Sequence, residues 1–257
     1  EISCSLVGSE MCIRDRDYVG KNFIAVEKAG NRSNEMQEHK NRGVAAREML
    51  SKVAQEIVAL MPKYVKLDVS GWINQGQNVD HYLWAELRTK NEEKSPTSLS
   101  IFVEKNGNEY QLRISIEAHD SRCSQDDYTR HNRLLNIKNT NPNLHYYVGG
   151  SLPNELVISE LNNDELKKEV ENKKYKKVQI CKVMSRSEVN SKTGAEVTKF
   201  IIEAIKELNP FYDLAVGKGK ENNNINSDTA NHEEGNMNIN NKSVSYTHLT
   251  LPTNSRV

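Results

Sequence analysis

The spacing of apolar residues divides most of the chain into helices and strands. Over residues 33–61, apolar side chains recur every three or four positions, which predicts an amphipathic helix. Alternation of apolar with other residues then predicts strands over residues 64–69 and 82–87. The clearest pattern is a β-hairpin, because residues 99–103 and 112–118 alternate on either side of an Asn-Gly dipeptide that accepts the positive φ of tight turns.

Helix-capping signals organise the second half of the chain. Ser124, followed by acidic residues, predicts a helix from residue 125 to about residue 137. A strand at 146–148, a helix at 163–174, a strand at about 178–183 and a helix at 195–208 are expected next, with Pro210 beyond the last helix. This order predicts an α+β fold. A mostly antiparallel sheet with a central β-hairpin would be packed by an N-terminal helix and several later helices.

Composition changes sharply after Gly217. Residues 218–242 are rich in Asn and hold almost no large apolar side chain, so we interpret them as a disordered linker leading to a further domain. Residues 11–16 and 244–253 resemble translated sequencing-adapter sequence. We therefore interpret residues 1–16 and 243–257 as adapter artefacts and set them aside. Between them, the sequence predicts an unassigned lead-in at 17–32, a single α+β domain at 33–217 and the linker at 218–242.

Charge and cysteine content narrow the classes of function. With 35 basic and 35 acidic residues the net charge is zero, so any binding to nucleic acid must come from a local patch. Outside the suspected adapter segments, Cys123 and Cys181 lie far apart, which predicts free thiols in a reducing cytoplasm. No apolar run approaches the roughly 18 residues of a membrane span. Motifs for nucleotide binding, a hydrolase nucleophile or a zinc protease are lacking, so neither cofactor nor metal is expected.

The segment at 70–77 carries the most suggestive chemistry. It joins two predicted strands and combines two glycines with Trp72 and the amides of Gln75 and Gln77. Tyr82 and Trp84 follow on the next strand. Aromatic rings stack on an exposed base while amides read its edge, which is the chemistry of a base-flipping reader. The alternative is a tight loop in which Trp72 and Trp84 fill the core.

Basic residues for phosphate contacts are expected in two places. Lys105 and Arg113 lie on the hairpin, and Arg130 and Arg133 lie on the helix that follows it. Such contacts supply affinity without sequence information. The lysines between residues 167 and 182 are interleaved with glutamates, which indicates a solvated face rather than a binding surface.

Three segments carry a resemblance to a known family. The loop at 71–76, the strand with Tyr82 and Trp84, and the closing segment 205–212 resemble the N-terminal modules of McrB-like proteins of methyl-directed restriction systems. The resemblance implies a prokaryotic defence protein whose α+β domain binds DNA and holds a modified cytosine flipped out of the duplex. It further implies a linker and a GTP-hydrolysing AAA+ motor in the same native chain. For the domain itself it implies recognition rather than catalysis.

Two other classes of function stay open on sequence alone. Asp68, Glu86 and Glu104 near strand ends offer carboxylates for a small metal-dependent nuclease, since paired acidic residues and a lysine hold a divalent metal and position water. Their spacing to nearby lysines does not reproduce the acidic-x-Lys pattern of common restriction nucleases. The other alternative is a stand-alone protein-interaction domain that contacts neither nucleic acid nor substrate.

Overall fold

A seven-stranded antiparallel sheet forms the centre of the described structure. The computed structural model describes residues 20–106, 109–150 and 156–218, all within one compact unit, Glu1–Glu221. The strands are β1 Tyr64–Val69, β2 Tyr82–Thr89, β3 Thr97–Asn106, β4 Glu109–Ala118, β5 His145–Gly149, β6 Leu156–Ser159 and β7 Gln179–Ser185. They lie in the order β1-β2-β3-β4-β7-β5-β6, and every neighbouring pair is antiparallel.

Five α-helices accompany the sheet in the described residues. They are α1 Ser33–Leu60, α2 Gln125–His131, α3 Asn163–Glu171, α4 Arg186–Ser191 and α5 Gly194–Ala215. Short 3₁₀ helices occur at Val26–Lys28, Gly30–Arg32, Lys90–Glu92, Asp120–Arg122 and Asn132–Asn136. This arrangement confirms the predicted α+β fold. None of the helices in these residues is both long and apolar enough to cross a membrane.

The predicted hairpin is formed by β3 and β4. Leu99 lies opposite Ile116, and Ile101 lies opposite Ile114, so the alternating apolar side chains fall on one face as the pattern indicated. The turn residues 107 and 108 lie outside the described residues, as do the predicted adapter segments and the linker beyond Lys218.

The apolar face of the sheet packs against α1 and α5. Leu50 and Ile57 of α1 are fully buried, and so is Leu208 of α5. A polar link joins the same two parts of the chain, because the Tyr64 hydroxyl on β1 donates to Asn209 Oδ1 on α5 at 2.7 Å, across 145 residues. The apolar core is therefore built from residues near both ends of the domain.

The opposite face of the sheet is polar but largely buried. Arg88 of β2 and Arg113 of β4 are 2% and 1% exposed, and smaller polar side chains on the same face are buried with them. These smaller residues are Ser98, Ser100, Ser115 and Gln179. Period-two alternation assigned these positions to the face opposite the apolar core, but it carried no information on how far that face is covered.

The last helix is longer than predicted. It runs through Pro210 to Ala215, although the sequence pattern ended it at residue 208. Proline removes one helical hydrogen bond, but Phe211, Tyr212 and Ala215 are buried in the core beyond it, and this burial offsets the loss. Strand β6 and helix α4 were not predicted. Both are short, at four and six residues, and carry little periodic signal.

Candidate nucleic-acid interface and an adjacent basic cleft

The amide-rich loop between β1 and β2 forms a small hairpin of its own. A β-bridge joins Ile73 to Val79, and the backbone of Asn74 both donates to Asn78 O at 2.9 Å and accepts from Gln77 N at 3.0 Å. Gln77 adopts a φ of 58°, in the left-handed region that the reversal requires. Gln75 and Gln77 are exposed at the tip, so the structure presents both predicted amides to solvent.

Trp72 is an anchor for this loop rather than an exposed platform. Its indole is partly buried against the apolar core and meets the Phe23 ring edge-on, with centroids 4.8 Å apart. The ring also lies directly on Gly43 of α1, where a Cβ atom would overlap it. The packing of the ring agrees with the core-filling alternative, because α1 leaves a glycine-sized gap for the ring, and a stacking role for Trp72 stays a prediction.

Tyr82 and Trp84 project from the opposite, polar face of the sheet. Tyr82 is 39% exposed and contacts the Phe102 ring edge-on at 6.5 Å between centroids. Trp84 is partly exposed and meets the ring of His119 at 5.6 Å. Trp84 does not fill the apolar core, in contrast to the core-filling alternative. Two neighbouring aromatic side chains are thus available on one surface.

Arg113 cannot serve as a phosphate contact, which corrects the prediction. Its Nε and Nη2 donate to the two carboxylate oxygens of Glu104 at 2.6 and 2.7 Å, and its Nη1 donates to Gln179 Oε1 at 2.9 Å. The guanidinium also lies 4.0 Å from the Phe102 ring centroid. Burial lowers the pKa of Arg113, but attraction and hydrogen bonding to Glu104 outweigh it and leave the pKa raised. Each of its three nitrogens donates to a partner inside the fold.

The remaining basic candidates fall at opposite ends of the sheet. Lys105 lies beside the start of β2, since its backbone N donates to His81 O at 3.0 Å. Arg130 instead lines a cleft beside the loop that follows β2, and the exposed Arg133 comes shortly after α2. The eight residues of β2 separate these ends by about 24 Å. The backbone of Lys105 is therefore close to Tyr82, although alternation along β3 puts the Lys105 side chain on the other face of the sheet. The predicted contacts Arg130 and Arg133 lie at the far end.

The carboxylates of the nuclease alternative are engaged in ion pairs. Glu104 binds Arg113, and Glu86 Oε2 accepts from Arg88 Nη1 at 2.8 Å and from Arg122 Nη1 at 3.1 Å. Asp68 Oδ2 lies 3.9 Å from Arg122 Nη2. Within residues 20–106, 109–150 and 156–218, no three His, Cys, Asp or Glu side chains are grouped so as to hold a metal ion.

The cleft beside Arg130 was missed by sequence reasoning. It has a volume of about 680 Å³ and is lined by side chains of both charges, including Arg88, Lys94, Arg122 and Arg130. Among the lining residues, Arg88 of β2 is buried. The only sequence signal was the Glu86-x-Arg88 pair of opposite charges on one strand face, and such a pair is common on solvated strands.

The domain as a whole matches one protein family. The family profile covers residues 24–215, well over half of the chain, and the chain therefore belongs to that family. The matched range contains every helix and strand given above, from α1 to the last residue of α5. No curated protein matches the chain.

Proposed function

We propose that this domain is a DNA-recognition module of a prokaryotic restriction or defence protein. The observation that carries the proposal is the pair of partly exposed aromatic side chains, Tyr82 and Trp84, on the polar face of the sheet, opposite α1 and α5. Each stacked base contributes about 1–3 kcal/mol to binding of this kind, largely independently of sequence.

Three further exposed or sheet-edge residues would supply the other contacts that such a reader needs. The tip amides of Gln75 and Gln77 offer both donors and acceptors to a base edge. Lys105, beside the start of β2, contacts a phosphate. The proposed interface therefore consists of Gln75, Gln77, Tyr82, Trp84 and Lys105, without Trp72 or Arg113.

The resemblance to McrB-like modules sharpens the proposal in two respects. The base that is read is a modified cytosine held outside the duplex, and in the native chain the module acts with a GTP-hydrolysing motor. Long-read sequencing of the native locus across Lys242 tests the second point. A reading frame with a G-x-x-x-x-G-K-[ST] motif supports it, and a stop codon directly after the Asn-rich segment argues against it.

Binding to a short fluorescein-labelled duplex, with and without one 5-methylcytosine, tests the proposal by anisotropy. Tyr82→Ala should weaken binding by about 1–3 kcal/mol, or roughly 5- to 150-fold. Leu60→Ala is the matched control, because Leu60 is also an exposed apolar residue, at 57%, but lies at the end of α1. Equal affinity of the two variants would rule out stacking on Tyr82.

A salt titration separates DNA binding from a protein-interaction role. Each phosphate contact contributes about −0.9 to the slope of log affinity against log salt. Lys105→Ala should make that slope less negative by about 0.9, the contribution of one phosphate contact. Lys52→Ala, at an exposed position of α1, should leave the slope unchanged. Absence of measurable binding to any duplex at low salt would favour the protein-interaction alternative.

A further inference from the structure

Arg88 is a buried arginine with one side of its guanidinium unused. The side chain is 2% exposed, and its Nη1 donates to Glu86 at 2.8 Å. Its Nε and Nη2 have no hydrogen-bond partner in the part of the chain that the structure describes, and both nitrogens are closed to solvent. These two nitrogens form one edge of the guanidinium, and this edge is the fork that binds two oxygens of a phosphate or carboxylate at once.

Charges of both signs surround this unused edge. Arg88 and Arg122 share a single oxygen of Glu86, and Arg122 also lies 3.9 Å from Asp68. Arg130 and Lys94 line the same cleft. Burying a cation without a full set of acceptors is unfavourable, and an incoming anion would supply the missing acceptors.

Two of the three acidic residues that line the cleft have partners other than Arg88, and the third, Glu93, is exposed. Asp127 caps α2, where its Oδ2 accepts from Ser124 N at 2.9 Å and from Ser124 Oγ at 2.7 Å. Its other oxygen lies 3.6 Å from Arg130. Glu92 lies 3.5 Å from Lys218 Nζ. These contacts hold the carboxylates of Asp127 and Glu92 in place, and neither of them is bonded to the fork of Arg88.

We propose that this cleft binds the phosphate group of a small phosphorylated molecule. The Arg88 side chain turns towards the cleft on binding, so that its Nε and Nη2 hold two phosphate oxygens, and Arg122 and Arg130, which line the same cleft, contact the ligand beside it. A volume of about 680 Å³ exceeds what a bare phosphate fills and falls in the range of pockets for small metabolites. The site is independent of the DNA interface at the other end of β2.

Isothermal titration calorimetry at constant ionic strength tests the site. The probes are inorganic phosphate, deoxyadenosine 5′-monophosphate and deoxyadenosine. We expect binding of at least one phosphate-bearing probe and none of the bare nucleoside. Tighter binding of the monophosphate indicates a phosphorylated metabolite as the ligand, whereas equal affinity indicates free phosphate. Failure of both phosphate probes to bind at millimolar concentration would overturn the proposal.

Variants of Arg122 and Arg130, which also line the cleft, test the site even when changes at Arg88 disturb folding. Arg122→Ala and Arg130→Ala should each weaken phosphate binding about tenfold. Arg32→Ala is the matched control, because Arg32 is 44% exposed and paired to an acidic residue three positions away, as Arg130 is. Equal phosphate affinity in all three variants would contradict the site. Arg88→Lys keeps the charge but lacks the fork, so a folded Arg88→Lys protein should bind phosphate about tenfold more weakly.

The DNA proposal and the phosphate proposal can be tested independently of each other. Tyr82→Ala should leave phosphate affinity unchanged, since Tyr82 lies at the opposite end of β2 from the cleft. Loss of phosphate binding in that variant would contradict the separation of the two sites.

Discussion

Arg88 and Arg113 are both buried on the same face of the sheet, on the two strands that flank β3, yet their surroundings differ. Arg113 donates through three nitrogens to Glu104 and Gln179 and stacks on Phe102. Arg88 donates through one nitrogen to a carboxylate that it shares with Arg122. A buried arginine that donates through all three of its nitrogens holds strands together. One with an empty fork beside a cleft has a place for a ligand.

The largest effect on stability is expected when Arg113 loses its counter-ion, Glu104. Glu104→Ala leaves the Arg113 guanidinium buried without a carboxylate, which typically costs about 3–5 kcal/mol. Urea denaturation should show this loss in the free energy of unfolding. Glu93→Ala, at an exposed position near the cleft, serves as the control and should change stability by less than about 0.5 kcal/mol.

His131 extends the comparison to a group that is buried in its neutral form. Burial lowers the pKa of His131 from 6.5 to about 4, and the opposing effect of its hydrogen bond to Val178 O is smaller. The nearby charges of Lys177 and Asp120 act in opposite directions. Because the unfolded chain binds the proton more readily, His131 stabilises the fold fully above pH 6.5. That stabilisation falls as the pH drops towards 4 and amounts to roughly 3 kcal/mol.

The difference between wild type and His131→Gln isolates this contribution from other titrating groups. Free energies of unfolding measured by urea at pH 7.5 and at pH 4.5 should converge at the lower pH. His119→Gln is the control, since the His119 side chain is more exposed than that of His131. A wild-type advantage over His131→Gln that does not shrink in acid would contradict the buried neutral state.

The anchor of the amide-rich hairpin should yield a smaller change. Gly43→Ala normally favours a helix, but here the new methyl group overlaps the Trp72 indole, and overpacking costs about 1–3 kcal/mol. The double variant Gly43→Ala with Trp72→Val should be less sensitive to the alanine, because the ring is gone. Thermal denaturation of the four proteins in this cycle measures the coupling. Additive effects would mean that the ring does not press on Gly43 in solution.

The smallest effect is expected from the ligand itself. Phosphate at ten times its dissociation constant should stabilise the wild-type protein by about 1.4 kcal/mol, because it binds only the folded state. Arg130→Ala should show a much smaller shift in melting temperature at the same phosphate concentration. An equal shift in both proteins would indicate a general salt effect and not occupation of the Arg88 fork.

Sequence reasoning was successful where one periodic face meets one core. The hairpin residues Leu99 and Ile116, and the helical spacing that includes Leu50, were predicted because their periods of two and 3.6 follow directly from backbone geometry. It failed for Arg113, since alternation assigns a side chain to a face without telling what covers that face. Arg88 was overlooked for the same reason.

The candidate interface was predicted only in part. The exposure of Gln75, Gln77 and Tyr82 agrees with the sequence-based hypothesis. The packing of Trp72 against α1 could not be predicted, because it depends on Gly43, a residue 29 positions earlier in the sequence. The separation of Lys105 from Arg130 likewise depends on how α2 lies against the sheet, which no local pattern encodes.

The bond between Tyr64 and Asn209 has a consequence for synthesis of the protein. The two residues are 145 positions apart, and ribosomes add about 5–20 residues per second. After Tyr64 is made, roughly 7 to 29 seconds therefore pass before its partner on α5 exists. During this interval the apolar side of β1 and α1 is without its final cover, so the nascent chain would depend on chaperones or on rapid translation to avoid association with other chains.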